Sequence, residues 1–169
     1  MVEKDTVFKG KLKQKGIFNF KEFYEFLYDY LYDENYDVFE SKYSEKISGD
    51  SKNIEIEWKA TKEISDYFRF EIHSRWLILG LKKVNVKKDG QEISMDSGTI
   101  EIKFTANLQK DYENRWESNA FMKFLRGVYD RYVIRTRTDD YELMLFRDIN
   151  EFIAQVKSFL VIEGQHSIP

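Results

Sequence analysis

Apolar and polar residues alternate with a two-residue period over much of the chain, and three stretches replace that rhythm with helical spacing of about 3.6 residues. From Thr6 to Gln14, Phe8 and Leu12 oppose Val7, Lys9, Lys11 and Lys13, which predicts a strand with one wet face. The period then changes. Asn19 is placed as an N-cap, and Phe20, Phe23, Tyr24, Leu27, Tyr30 and Leu31 form one stripe opposite Glu22, Glu25, Asp29 and Asp33. This predicts an amphipathic helix over 19–34.

Phe39, Tyr43 and Ile47 mark a second strand, closed by the turn Gly49-Asp50-Ser51. Ile54, Ile56, Trp58 and Ala60 alternate with Glu55, Glu57, Lys59 and Thr61. Phe68, Phe70, Ile72 and Trp76 then oppose Arg69, Glu71, His73 and Arg75. Alternation lapses across Trp76–Leu81, which predicts cover on both sides or a bend, and resumes at Val84 and Val86. Asp89-Gly90 is a hairpin signal, and Ile100, Ile102, Phe104, Ala106 and Leu108 set the last strand.

The remainder is helical. Phe121, Phe124, Leu125, Val128 and Tyr132 follow an Asn119 cap, and Leu145, Ile149, Phe152, Ile153, Val156 and Leu160 follow the box Asp139-Asp140-Tyr141-Glu142. Arg131–Thr138 reads as the end of one helix and the hinge to the next, or, from Tyr132-Val133-Ile134, as a short strand. Gly164 closes the last helix, leaving one domain over 1–164 and a flexible tail over 165–169. The expected fold is α+β, an antiparallel sheet of about six strands with helices packed on its apolar face.

That order of elements resembles the helix-grip superfamily, which includes START-type lipid-transfer domains, birch-pollen-allergen proteins and polyketide cyclases. The parallel rests on the strand Thr6–Gln14, the helix Asn19–Glu34, the meander Phe39–Leu108 and the helix after Asn119. No family motif accompanies it. Gly49 alone stands for the family's glycine-rich loop, the second short helix is missing, and two helices close the chain in place of one. The resemblance implies an apolar ligand held between a curved sheet and the last helix.

Composition narrows the chemistry. The chain has 169 residues, enough for one domain with a sizeable core, and no cysteine, which removes disulfides, thiolate nucleophiles and cysteine-ligated metals. Two histidines, His73 and His166, are too few for a multi-histidine metal site. Phosphate-cradling glycine motifs, a nucleophile elbow and H-E-x-x-H are all missing, so no catalytic residue, cofactor or metal is assigned. A net charge of −3 gives no global attraction to nucleic acid. The acidic start Met1–Asp5 does not read as a secretory signal, and no apolar run approaches the roughly 20 residues of a spanning helix. The expected location is cytoplasmic.

Five features remain as candidates. Glu71, His73 and Arg75 share one strand face, as an acid–base site or as an exposed ladder paired with Glu57, Lys59 or Lys103. Asp29, Asp33, Glu34 and Asp37 form an acidic group without EF-hand spacing. Lys123, Arg126, Arg131, Arg135 and Arg137 are the one basic concentration, which nucleic acid would use with Tyr129 and Tyr132 as stacking rings. Against that, Arg126 and Asp130 are spaced to neutralise each other, and Tyr129 and Tyr132 fall on the side expected to face the core.

The aromatic load, with 14 Phe, 11 Tyr and 3 Trp, is the most unusual feature. Trp58, Phe70, Trp76, Phe104 and Tyr132 either fill a core or wall a cavity for an apolar small molecule or lipid, which is the preferred function. Consecutive apolar residues around Leu143, Phe146 and Phe159 suggest the alternative, a helical interface to another protein or to a second copy.

Overall fold

The computed structural model describes residues 2–115, 119–132 and 134–166. Strand β1 (Glu3–Phe18) leads into helix α1 (Phe20–Asp33), followed by β2 (Asp37–Ser48), β3 (Ser51–Glu63), β4 (Phe68–Lys88) and β5 (Gln91–Lys110). Helices α2 (Ala120–Tyr132) and α3 (Arg135–His166) complete the described chain, with the expected hinge between them. The sheet order is β1-β5-β4-β3-β2, and every neighbouring pair is antiparallel. Strands β2 to β5 are a simple meander, while β1 sits beside β5 at the opposite edge from β2. The β1–β2 connection must therefore cross the sheet, and α1 makes that crossing over the apolar face. Asn19 caps it as expected, its Oδ1 accepting the Glu22 N–H at 3.2 Å.

The architecture is α+β with helices on one sheet face, built on five strands where about six were expected. The lapse of alternation at 76–81 is a bulge inside one long strand. Gly80 takes φ 62°, and its N–H donates to Asn53 Oδ1 at 2.8 Å. The β4–β5 register shifts there between Leu79 and Lys82. The extra residue lets Ile78 and Leu81 both reach the core while Leu79 and Gly80 face out.

A second bulge corrects the reading of β2. The β2–β3 register shifts between Glu40 and Lys42, and the Ser41 hydroxyl donates to the Glu57 carbonyl at 3.1 Å. Phe39 thus stands opposite Lys59 on the outer, polar face, while Tyr43 and Ile47 lie on the helix side. The three do not share a face.

The core is an aromatic stack closed by two helices. Trp58 and Trp76 pack with centroids 4.5 Å apart. From α1, Tyr24 lies 5.0 Å from Trp58 and Phe23 5.5 Å from Trp76. From α3, Leu145, Ile149, Phe152, Val156 and Leu160 are all buried, and Phe152 meets Phe104 edge-on at 5.8 Å. Helix α3 begins at Arg135, ahead of the box 139–142, because buried Ile134 anchors its first turn and its carbonyl accepts the Thr138 N–H at 2.8 Å. Gly164 does not close it. With no positive φ, that glycine continues the helix to His166, so the tail expected over 165–169 is helical at its start, while 167–169 lie outside the described residues.

Because Trp76 touches rings on both sides, Trp76→Ala is expected to cost about 3–5 kcal/mol in urea unfolding. A cost below about 1 kcal/mol would show that the indole borders empty space.

Candidate functional site

The interior residues come together as expected, but no room is left among them. Trp58, Phe70, Trp76 and Phe104 are each at most 2% exposed, and the hollow of about 280 Å³ that Trp58 borders lies among Ser41, His73, Lys103 and Thr105 on the outer sheet face, not between sheet and α3. Both indole N–H groups are satisfied, Trp58 donating to Glu40 at 2.9 Å and Trp76 to Ser74 at 2.9 Å. Tyr132 does not join them. It is 75% exposed on α2, away from the space between sheet and α3.

The expected interface residues also separate. Leu143 is exposed, and Phe146 is half-exposed with its ring edge on Phe8 at 6.2 Å. Phe159 belongs to the core margin, because α1 lies beside α3 and sandwiches that ring between Phe23 at 5.4 Å and Phe26 at 5.3 Å.

Helix α2 bears out the expectation of core packing at Tyr129, whose ring meets Tyr67 edge-on at 6.4 Å, and overturns it at Tyr132 and the rest of the apolar stripe. Its only buried residue is Arg126. The guanidinium meets Glu3 at 2.9 Å, Asp130 at 3.5 Å and Asp111 at 3.6 Å, and the Tyr67 hydroxyl donates to Asp130 at 2.5 Å. Met122, Tyr129 and Asp130 lie beside it and are partly buried. At about 100° per residue, Phe121, Phe124, Leu125, Val128 and Tyr132 form a stripe turned away from that anchor. Phe121 and Phe124 are accordingly 66% and 67% exposed, and Leu125 and Val128 are also open to solvent. The helix docks by its ionic side and presents its apolar side outward. Lys123, Arg131, Arg135 and Arg137 are exposed too, and none has an acidic partner among the described residues.

On the outer face of the sheet, the Glu71–His73–Arg75 row is a ladder, as its second reading held, with one member the sequence concealed. Glu71 is fully buried. Its carboxylate binds Lys4 at 2.8 Å, His73 at 3.0 Å, Lys59 at 3.2 Å, Asn107 at 3.2 Å and Gln109 at 2.5 Å. Burial pushes its pKa up, but the hydrogen bonds from His73, Lys4 and Asn107 outweigh burial and hold it far below the usual carboxylate range. Arg75 pairs instead with Glu55 at 2.5 Å and Glu57 at 3.3 Å. With every lone pair engaged, Glu71 is a fixed acceptor rather than a proton carrier.

No group of three or more metal-ligating side chains is present among the described residues, the acidic cluster Asp29, Asp33, Glu34 and Asp37 included. No described helix is long and apolar enough to cross a membrane. No family model, curated protein or solved structure matches the chain.

Because the folded Glu71 carboxyl has a lowered pKa, its stabilisation is complete above the unfolded value of about 4.3 and declines as pH falls below it. Glu71→Gln is expected to cost about 2 kcal/mol at pH 7 and less at pH 3. Urea unfolding at both pH values checks this, and an equal cost at each would remove the charge from the account.

Proposed function

We propose that this chain is a non-catalytic interaction module that takes an acidic amphipathic helix of a partner protein on α2. The observation that carries this reading is the inverted docking of α2, with Arg126 buried and the apolar stripe exposed. A helix of 13 residues is marginal by itself and ordinarily depends on burying its apolar face. Here that face is unused.

The stripe from Phe121 to Tyr132 runs about 16 Å along the axis, enough for two turns of a facing helix to insert apolar anchors. Charge selects the partner. Arg131, which has no acidic partner among the described residues, flanks the stripe with its guanidinium 5.8 Å from the Tyr132 ring, and Arg135 and Arg137 follow just beyond the end of α2. Acidic residues beside the partner's apolar ridge would meet these cations, whereas basic ones would be repelled. One helix face falls short of the roughly 800 Å² per partner of a standard interface, so affinity is expected to be micromolar.

The alternatives have less support. An apolar ligand between sheet and α3 would have to displace side chains that fill that space. A nucleic-acid surface loses Arg126 to its ion pairs.

A synthetic helix with a leucine ridge and glutamate flanks is expected to bind with micromolar affinity by fluorescence anisotropy. Phe124→Ser should weaken it at least about tenfold while leaving stability within about 0.5 kcal/mol, because that ring is exposed. A lysine-flanked peptide with the same ridge should not bind. Failure of the acidic peptide, or binding indifferent to Phe124→Ser, overturns the reading. A homodimer dissolved by Phe124→Ser would replace the foreign helix with a second copy of the chain.

A further inference from the structure

The other end of the sheet carries a groove of different character. The start of α1, the β2–β3 turn and the β4–β5 hairpin enclose a cleft of about 400 Å³ bounded by Phe20, Lys21, Ile47, Lys52, Leu81 and Lys82. A second hollow of about 310 Å³ continues it along α1, sharing Phe20 and Lys21 and adding Tyr24 and Tyr43. Each volume falls within or close to the range of small-molecule sites. The bulge at Ser41 creates the apolar wall, since it turns Tyr43 and Ile47 to the helix side of β2 where α1 does not cover them. Ile47 is 75% exposed.

The groove is polarised along its length. Four lysines, Lys21, Lys52, Lys82 and Lys83, gather at the cleft end with two carboxylates, Asp50 and Asp96. Asp96 is buried and already engaged, by Lys83 at 2.9 Å and by the Phe20 N–H at 3.0 Å. Lys52 is held by Glu45 at 3.2 Å, and Glu45 also accepts the Tyr43 hydroxyl at 2.8 Å. Lys82 has no acidic partner among the described residues, and Lys21 reaches Glu25 only at 3.9 Å with both side chains largely exposed. Two cations therefore remain weakly compensated at this end, against the single carboxylate of Asp50. The far end holds Glu25 and, behind Tyr24, Glu40, which accepts the Tyr24 hydroxyl at 2.6 Å. An anionic group is favoured at the lysine end and repelled at the other.

We infer that this groove binds a single-chain anionic amphiphile, a long-chain carboxylate whose head lies by Lys82 and Lys21 and whose tail lies along Ile47, Phe20 and Tyr43. One negative charge matches the small excess of cations, and the aromatic and aliphatic walls match an unbranched tail. This site is separate from α2 and does not depend on the partner proposed for it.

Titration calorimetry with dodecanoate below its micellar concentration tests it. One molecule is expected to bind per chain. Lys82→Glu should weaken binding about fivefold, and Ile47→Asp at least about tenfold; both positions are exposed, so folding is preserved and the thermal midpoint verifies that. Dodecanol, with the same tail and no charge, should bind less tightly than dodecanoate. Phe124→Ser should leave dodecanoate binding unchanged. Lack of binding, binding indifferent to both groove variants, or equal affinity for the alcohol overturns the inference.

Discussion

A five-stranded sheet with a single apolar face needs cover on that face alone, and α1 and α3 between them supply it over all but the edge strand β2, where Tyr43 and Ile47 stay open. At about 1.5 Å per residue the 32-residue α3 is about 48 Å long, whereas five strands span only about 24 Å across. The two helices lie side by side and lock to each other as well as to the sheet. Tyr30 stacks on Phe152 at 6.0 Å, Phe26 and Phe23 flank Phe159, and the Tyr36 hydroxyl donates to Asp148 at 2.8 Å. Once this layer is closed, the apolar sheet surface left open lies on β2, at the opposite edge from the β1 strand beside which α2 docks. The outward stripe of α2 follows from the geometry of the rest of the fold, and the ion pairs of Arg126, with Tyr129 and Asp130 on Tyr67, hold the helix in place.

The opposite sheet face shows how polar residues can specify the same fold. Glu71 on β4 gathers Lys4 from β1, Lys59 from β3, and Asn107 and Gln109 from β5. Thr6 and Arg69 extend the network, donating to Asn107 at 2.9 Å and Gln109 at 2.7 Å. A slip of one residue in any of these strands would turn its contributor to the apolar face and leave a buried carboxylate short of donors. Apolar burial makes the sheet favourable, and the Glu71 network penalises the wrong registers.

Much of this architecture was legible in the sequence because it is local. The Asn19 cap, the stripe of α1 and the alternation of β3 each declare themselves within a few residues. What was hidden depends on long-range partners. Phe39 looks like a companion of Tyr43 and Ile47 until the β3 register places a bulge between them. The stripe of α2 is a normal core-facing pattern. Glu3, 123 residues earlier, together with Asp111, claims Arg126 and so reverses its orientation. Periodicity shows that a helix has an apolar face but not whether that face finds a neighbour. Nor does it reveal that an acid on the polar face of a strand, Glu71, is sealed by the side chains around it.

The two surfaces left open by this packing sit at opposite ends of β5. The anchor of α2 lies by Asp111, just past the end of that strand, and the groove lies by Asp96, about 50 Å away at strand spacing. They differ in what holds them. The groove is framed by strand ends and the capped start of α1, elements fixed by the core, so its shape is set before any ligand arrives. Helix α2 rests on the Tyr129 ring against Tyr67 and on charged contacts that gain little from apolar burial and are partly open to solvent at Glu3. An apolar partner on its outer stripe would add the burial that the rest of the fold does not supply. Occupancy of the stripe and order in α2 would then rise together, while the groove stays unaffected.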